Sequence, residues 1–423
     1  MQEILFDYRL NPTTWAYISS LMIVGIYFKF SRFWSVRNLD LVLLLSFTPG
    51  LLLIYYGLLK DLSELERAGY TWMFVAGALF LVRLLFDSLM VRRPLLEPNL
   101  SAGGLTFTGL ALLVFLMANV ITVPQERLEC MLTRQGDIAS PAPGHRPFHD
   151  FSEQVRQAAV LPTPQPGLAQ PRHEIPLPVA LGRVSAIAAH LAVLAGIVWI
   201  GLRHFDNIHN GVAGATLYLL CFYTSQLTGQ LDHVIPAALL TWAVALYRLP
   251  FFAGLLLGIA GGLSYYPLFL LPLWCGFYWR RGVIRFILGL LLALFLALGS
   301  LLLVCSTTAE FLEEIQHMFG FRNPLVAKLS GFWRFYDPVF RIPILVSFIV
   351  LSVSLAIWPA QKNLGTLLSC SAALMLAAQF WHAQQGGLQM AWFLPLLILT
   401  IFRPNLEDRV AFTTVRPAWR AGR

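Results

Sequence analysis

Apolar runs of near membrane-spanning length recur through most of this chain, and they leave few folds open to it. A helix needs roughly 17–25 apolar residues to cross about 30 Å of hydrocarbon, and only helices or closed barrels satisfy their own backbone there. Candidate runs occupy 13–30, 41–59, 70–91, 104–123, 179–202, 211–228, 233–247, 283–306, 341–358, 364–381 and 387–402. Strands of a membrane barrel are short and alternate in polarity. These runs do neither, so the expected fold is all-α and polytopic. Charged residues make up 12% of the chain, against about one quarter in a soluble protein. The mean hydropathy is +0.67.

The net charge is +8, but the basic residues sit in short loops between apolar runs. That placement is a topology signal and not a nucleic-acid surface. The segments 29–38, 91–94, Arg203, Arg248, 280–285, Lys362 and Arg403 read as cytoplasmic. The alternate loops 60–69, 124–178, 229–233, 306–340 and 382–387 are acidic, long or uncharged and read as external. The two sets alternate without conflict if 249–279 crosses twice. The expectation is about thirteen crossings, with the N-terminus outside and the C-terminus inside. Residues 1–12 are mildly acidic and no small-residue cleavage site follows the first run, so no cleavable signal peptide is expected. Cys130 alone among the cysteines lies outside the apolar runs, which excludes a disulfide framework. There is no CxxC or Cys/His metal spacing, so no structural metal or cofactor is expected.

Residues 261–267, GGLSYYP, interrupt an apolar stretch flanked by Arg248 and by Arg280-Arg281. With both flanks cytoplasmic, the chain has to rise and return, and 249–279 becomes a broken helix pair. Irregular backbone at that depth persists when buried in protein or lining a wet cavity. A functionless tight turn is the plainer alternative. The long loop 124–178 carries a short amphipathic stretch, 147–161, before a proline-dense end. Residues 1–103 read as an N-terminal three-helix extension, and 104–423 as the main membrane domain.

Polar groups gather on the predicted outer side. Gln230, Asp232 and His233 open one helix; an N-cap explains Asp232 but not all three. His149, Asp150 and Glu153 sit in the long loop, where a solvated loop helix explains them equally well. Arg322, Asn323, Lys328, Arg334 and Asp337 lie among aromatics, as an interfacial segment requires. His382 stands alone at a helix end, where a solvated or satisfied histidine is the ordinary case. Arg83 and Asp87, four apart, read as a neutralising intramembrane pair.

Residues 227–281 resemble the GT-C glycosyltransferases, and among them the polyprenyl-phosphate-sugar-dependent mannosyl and arabinofuranosyl transferases of glycosyltransferase family 87. The likeness rests on Gly229, Gln230 and Asp232 for an outer GQ-x-(N/D) element, then Ala253-Gly254 and Gly258, Tyr266-Pro267, and Arg280-Arg281. It extends to FHDFSEQVRQAAVL, which is similar to that family's opening of the first outer loop, and to WHAQQGGLQMAWFLPLL. Ser264 stands where the family carries a basic residue before the proline.

The resemblance implies a GT-C-like bundle in a bacterial plasma membrane and transfer of a sugar from a polyprenyl-phosphate donor to an external glycan or lipid acceptor, with no nucleic acid involved. It makes Asp150 the general base, with Asp232 second. Arg322 or Lys328 would replace the missing cation and, with Tyr265 and Tyr266, stabilise the leaving phosphate. Gln230, His233 and His382 would hold sugar hydroxyls. The rival expectation is a non-enzymatic membrane protein, either a lipid or polysaccharide transporter or a subunit of a complex. A transporter needs polar groups at mid-membrane on several helices, whereas these charges, apart from Arg83 and Asp87, stay near the outer edge.

Overall fold

The computed structural model describes residues 11–89, 96–122, 177–226, 228, 231–279, 281–305, 307–309, 311–312, 315, 329–359, 362–383 and 387–404. Among the described residues the regular elements are helices, and seven are long and apolar enough to cross a membrane: Val36–Leu59, Ser63–Leu85, Ala102–Ile121, Gly182–Arg203, Val283–Leu302, Pro338–Ile357 and Leu364–Trp381. The chain is thus an all-helical protein with the helices of an integral membrane protein.

Local chemistry sets the ends. α1 (Pro12–Tyr27) opens on Asn11, whose side chain accepts from the amides of Thr13 and Thr14, and Pro12 follows where a missing N–H costs nothing. α2 (Val36–Leu45) and α3 (Phe47–Leu59) form one span interrupted at Ser46. Pro49 explains the interruption, because it cannot donate to the carbonyl four residues back and its ring crowds that carbonyl. α4 (Ser63–Leu85) and α5 (Ala102–Thr122) complete the N-terminal part. There follow α6 (Leu177–Arg203), α7 (Ile208–Leu220), the single turn α8 (Phe222–Gln226) and α9 (Leu231–Ala245). The broken pair is α10 (Pro250–Leu263) and α11 (Leu271–Tyr278). α12 (Val283–Val304), the turn α13 (Phe332–Phe335), α14 (Arg341–Ile357), α15 (Leu364–Trp381) and α16 (Leu394–Phe402) complete the described helices.

Burial sorts these helices. In α15, 89% of the apolar window is buried, against 22% for the spans of α12 and α14. A helix apolar all round belongs in a core, and α15 is the axis of this one. α12 and α14 present apolar side chains outward instead, with Ile284, Phe295, Ile349 and Ile357 among those exposed, as a lipid-facing surface requires. α10 and α12 touch through backbone. A Cβ on Gly254 would stand 2.0 Å from the Phe286 carbonyl oxygen, and one on Gly289 2.0 Å from that of Phe251.

The described residues among the first 103 share the same hydrophobic core as the other described helices. Tyr27 donates to the Ala213 carbonyl at 2.8 Å, and Phe74 meets Phe380 edge-on at 4.7 Å. Arg83 and Asp87 do pair, at 3.2 Å, within a larger network. Arg83 also forks onto Asp40, at 2.6 and 2.9 Å. Asp87 receives Arg403 at 2.7 Å, and Arg37 donates to the Arg403 carbonyl at 3.0 Å. Buried charges persist when paired and bonded in this way.

Candidate functional site

The helix break builds the site. α10 stops because Ser264 is extended, with φ −152° and ψ 131°. Pro267 then sits at the start of a tight 3₁₀ turn, Tyr266–Leu270, before α11 resumes. The turn stacks Tyr265 on Tyr266, with ring centroids 4.3 Å apart, and brings both against the end of α15. The Tyr265 hydroxyl stands 3.0 Å from that of Tyr266 and 3.1 Å from His382 Nε2. A phenol has one proton to give. If Tyr265 donates to Tyr266, His382 donates to Tyr265 from a protonated Nε2.

Two further segments close the cluster. The short turn Met390–Trp392 lays Trp392 4.1 Å from the Tyr266 ring. Trp392 also faces His233 of α9 at 6.2 Å, and His233 Nδ1 lies 2.7 Å from the Tyr223 hydroxyl of α8. On the other side Arg341, first residue of α14, donates from Nε to the Trp381 carbonyl at 3.1 Å. Its charge also acts on the Tyr265 hydroxyl. Tyr266, His233, Arg341 and His382 are all buried. The geometry thus gathers two phenols, two imidazoles and one guanidinium, groups whose chemistry suits hydroxyls and anionic oxygens, into one buried cluster.

Of the residues expected from sequence, His233, Tyr265, Tyr266 and His382 come together here. Asp232 belongs to the first turn of α9, but its side chain lies outside the described residues, as do Asp150, Gln230, Arg322 and Lys328. The segment that follows Lys328 does reach this end of α15. Ser330 donates to the Ala383 carbonyl at 3.0 Å, and Trp333 Nε1 to that of Phe380 at 3.0 Å. A separate crevice of about 20 Å³, lined by Met73, Phe74, Gly77, Gln379 and Phe393, includes none of the cluster residues.

Sequence reasoning missed Arg341, Trp392 and Tyr223. Arg341 had a legible signal, a lone cation opening an apolar run just after Asp337-Pro338. Tyr223 had none, since ten residues separate it from His233 and a helix end intervenes. No protein-family model matches the chain, and no curated protein matches it.

Proposed function

We propose that this protein is a membrane glycosyltransferase that moves a sugar from a polyprenyl-phosphate donor to an acceptor outside the cytoplasm. What supports the reading is the convergence of Tyr265, Tyr266, His233, His382 and Arg341 from separate segments at one broken helix. In this reading the bundle is GT-C-like, crosses the bilayer about thirteen times, and turns at Ser264–Pro267 near the outer surface.

Asp150 takes the proton of the acceptor hydroxyl as its oxygen attacks the anomeric carbon. The sugar–phosphate bond breaks, polyprenyl phosphate leaves, and the anomeric configuration inverts. Asp232 is the second carboxylate of the site. Arg341 joins Arg322 and Lys328 as the cations that offset the leaving phosphate, in place of the basic residue that Ser264 replaces. His233, His382 and Gln230 hold sugar hydroxyls.

The test is transfer of labelled sugar from membrane lipid extract by purified wild type and Asp150→Asn, compared at equal folded amounts. Loss of a general base is expected to lower the rate by about 10²–10⁴-fold. Full activity in Asp150→Asn removes Asp150 from the mechanism. The orientation is tested separately, in a cysteine-free background, with an impermeant thiol reagent on intact cells. Glu64→Cys should label and Trp34→Cys should not.

A second reading is favoured by one observation. The polar groups of the cluster bond to one another, as in a structural core. A non-enzymatic subunit or transporter built on that core would transfer nothing from any polyprenyl-phosphate sugar.

A further inference from the structure

The loop between α1 and α2 is held by two asparagines. Asn38, buried in the first turn of α2, works from within. Its amide nitrogen donates to the carbonyls of Lys29 at 2.9 Å, Arg32 at 3.0 Å and Phe33 at 3.2 Å, and its oxygen accepts from the Lys29 amide at 3.1 Å. Asn99 ties the entry to the loop. Its side chain donates to the carbonyls of Gly25 and Phe28, both at 3.0 Å, and its backbone amide to that of Ile26 at 2.7 Å. Side chains that satisfy backbone groups in this way fix a loop that has no ladder of its own.

This fixed backbone turns large rings outward. Trp34 is 95% exposed, Phe30 70% and Phe33 57%. The rings form one cluster: Phe28 lies 5.1 Å from Phe30 and 5.5 Å from Phe33, and Phe33 lies 5.5 Å from Trp34. An exposed apolar patch rimmed by polar groups marks a contact surface. Cations are interleaved with the rings. The Arg32 amide donates to the Lys29 carbonyl at 3.1 Å, closing a turn that keeps the two basic residues within about 7 Å at Cα. Arg32 is exposed. Lys29 Nζ bonds the neutral Asn99 Oδ1 at 2.9 Å, and neither cation has a carboxylate partner among the described residues.

Position and charge together say what covers this surface. Val36–Leu59 is long and apolar enough to cross a membrane, and it begins just after Trp34. The loop therefore lies where a span leaves the hydrocarbon, the level at which aromatic side chains collect. Cations without carboxylate partners at that level favour anionic headgroups over zwitterionic ones. We propose that residues 28–34 are a preformed binding surface for anionic phospholipid, with Phe30, Phe33 and Trp34 seated in the bilayer interface and Lys29 and Arg32 on the headgroup charge. The surface uses none of the residues assigned to sugar transfer and does not depend on that reading.

The experiment places a fluorescent dye on Ser31→Cys, an exposed position beside Arg32, in the full chain with its other cysteines replaced. The labelled protein is reconstituted into phosphatidylcholine bilayers. Spin-labelled phosphatidylglycerol or spin-labelled phosphatidylcholine, with the label at the same acyl carbon, is then titrated in as quencher. Half-quenching is expected at a several-fold lower mole fraction of the phosphatidylglycerol, and added salt should narrow the difference. Arg32→Gln should shrink the preference by about fivefold, the worth of one basic residue near an anionic surface; its exposed side chain makes a folding defect unlikely to intervene. Phe30→Ser with Trp34→Ser should weaken quenching by both lipids. Equal quenching by the two lipids overturns the proposal, as does a preference that Arg32→Gln leaves unchanged. No quenching by either lipid also overturns it, and would turn the surface toward water or a protein partner.

Discussion

Arg403, at the end of the last described helix, reaches Asp87 at 2.7 Å across 316 residues of sequence. The contact closes a chain of buried charges that runs from Arg403 through Asp87 and Arg83 to Asp40. The N-terminal helices are thereby fastened to the C-terminal one by groups that cannot be moved singly.

Asp87→Ala should therefore be among the most damaging single changes. It leaves Arg83 and Arg403 facing each other without the carboxylate between them, and removing one partner of a buried pair costs about 3–5 kcal/mol. The double change Asp87→Leu with Arg403→Met should cost less than Asp87→Ala, because no charge is left stranded at that contact. Chemical or thermal unfolding in detergent measures both. Equal losses would mean that the network is solvated in the folded protein.

The α10–α12 crossing gives a second prediction. Gly254→Ala and Gly289→Ala each push a methyl group into a carbonyl oxygen on the other helix, an overpacking worth about 1–3 kcal/mol. Gly299→Ala provides the control. It lies in the same helix as Gly289, with nothing within 4 Å of an added Cβ, so alanine should be neutral or stabilise by up to ~1 kcal/mol. Melting temperatures of the three variants check the order.

The parts of this architecture that were legible in sequence are those fixed by neighbours along the chain. The break at Ser264–Pro267 was readable because two glycines, a serine and a proline interrupt an apolar run, and the backbone does turn there. Arg83 with Asp87 was readable from its four-residue spacing. Asp40 and Arg403 were not, since 43 and 316 residues separate them from their partners. The apolar run 387–402 read as one span, but its helix covers Leu394–Phe402. Hydropathy measures what a segment can bury and not its backbone, and here Met390–Trp392 form a separate turn that delivers Trp392 to the site. His382 looked like an ordinary helix-end histidine, and only the fold brings Tyr265 to it, from 117 residues away.

Tyr265→Phe separates the two readings of that contact. The ring stack on Tyr266 survives, while the hydroxyl that bridges Tyr266 and His382 is lost. A purely structural bond is worth about 0.5–1.5 kcal/mol, and Tm should fall accordingly. If the hydroxyl also acts on the donor phosphate, sugar transfer should drop about 10²-fold or more at equal folded amounts, the size of loss seen when one oxyanion donor is removed. His382→Gln should show the same split. A fall in stability without a fall in transfer assigns the pair to the scaffold.

The last prediction concerns Lys362 and pH. Burial, with Arg281 adding to it, lowers its ammonium pKa from 10.5 in the folded protein. Between the folded value and 10.5 the unfolded chain then binds more protons than the folded one, so stability rises with pH across that window. The cost of the buried ammonium is fully present below the folded pKa and is lost progressively as pH climbs from that value to 10.5. Lys362→Met removes the titrating group, while the loss of its bonds to Ala356 and Pro359 shifts the variant's stability by an amount that does not depend on pH. Unfolding of both proteins between pH 7 and pH 10 should therefore show wild type gaining on Lys362→Met as pH rises. Parallel curves would mean that Lys362 ionises in the fold as it does in the unfolded chain.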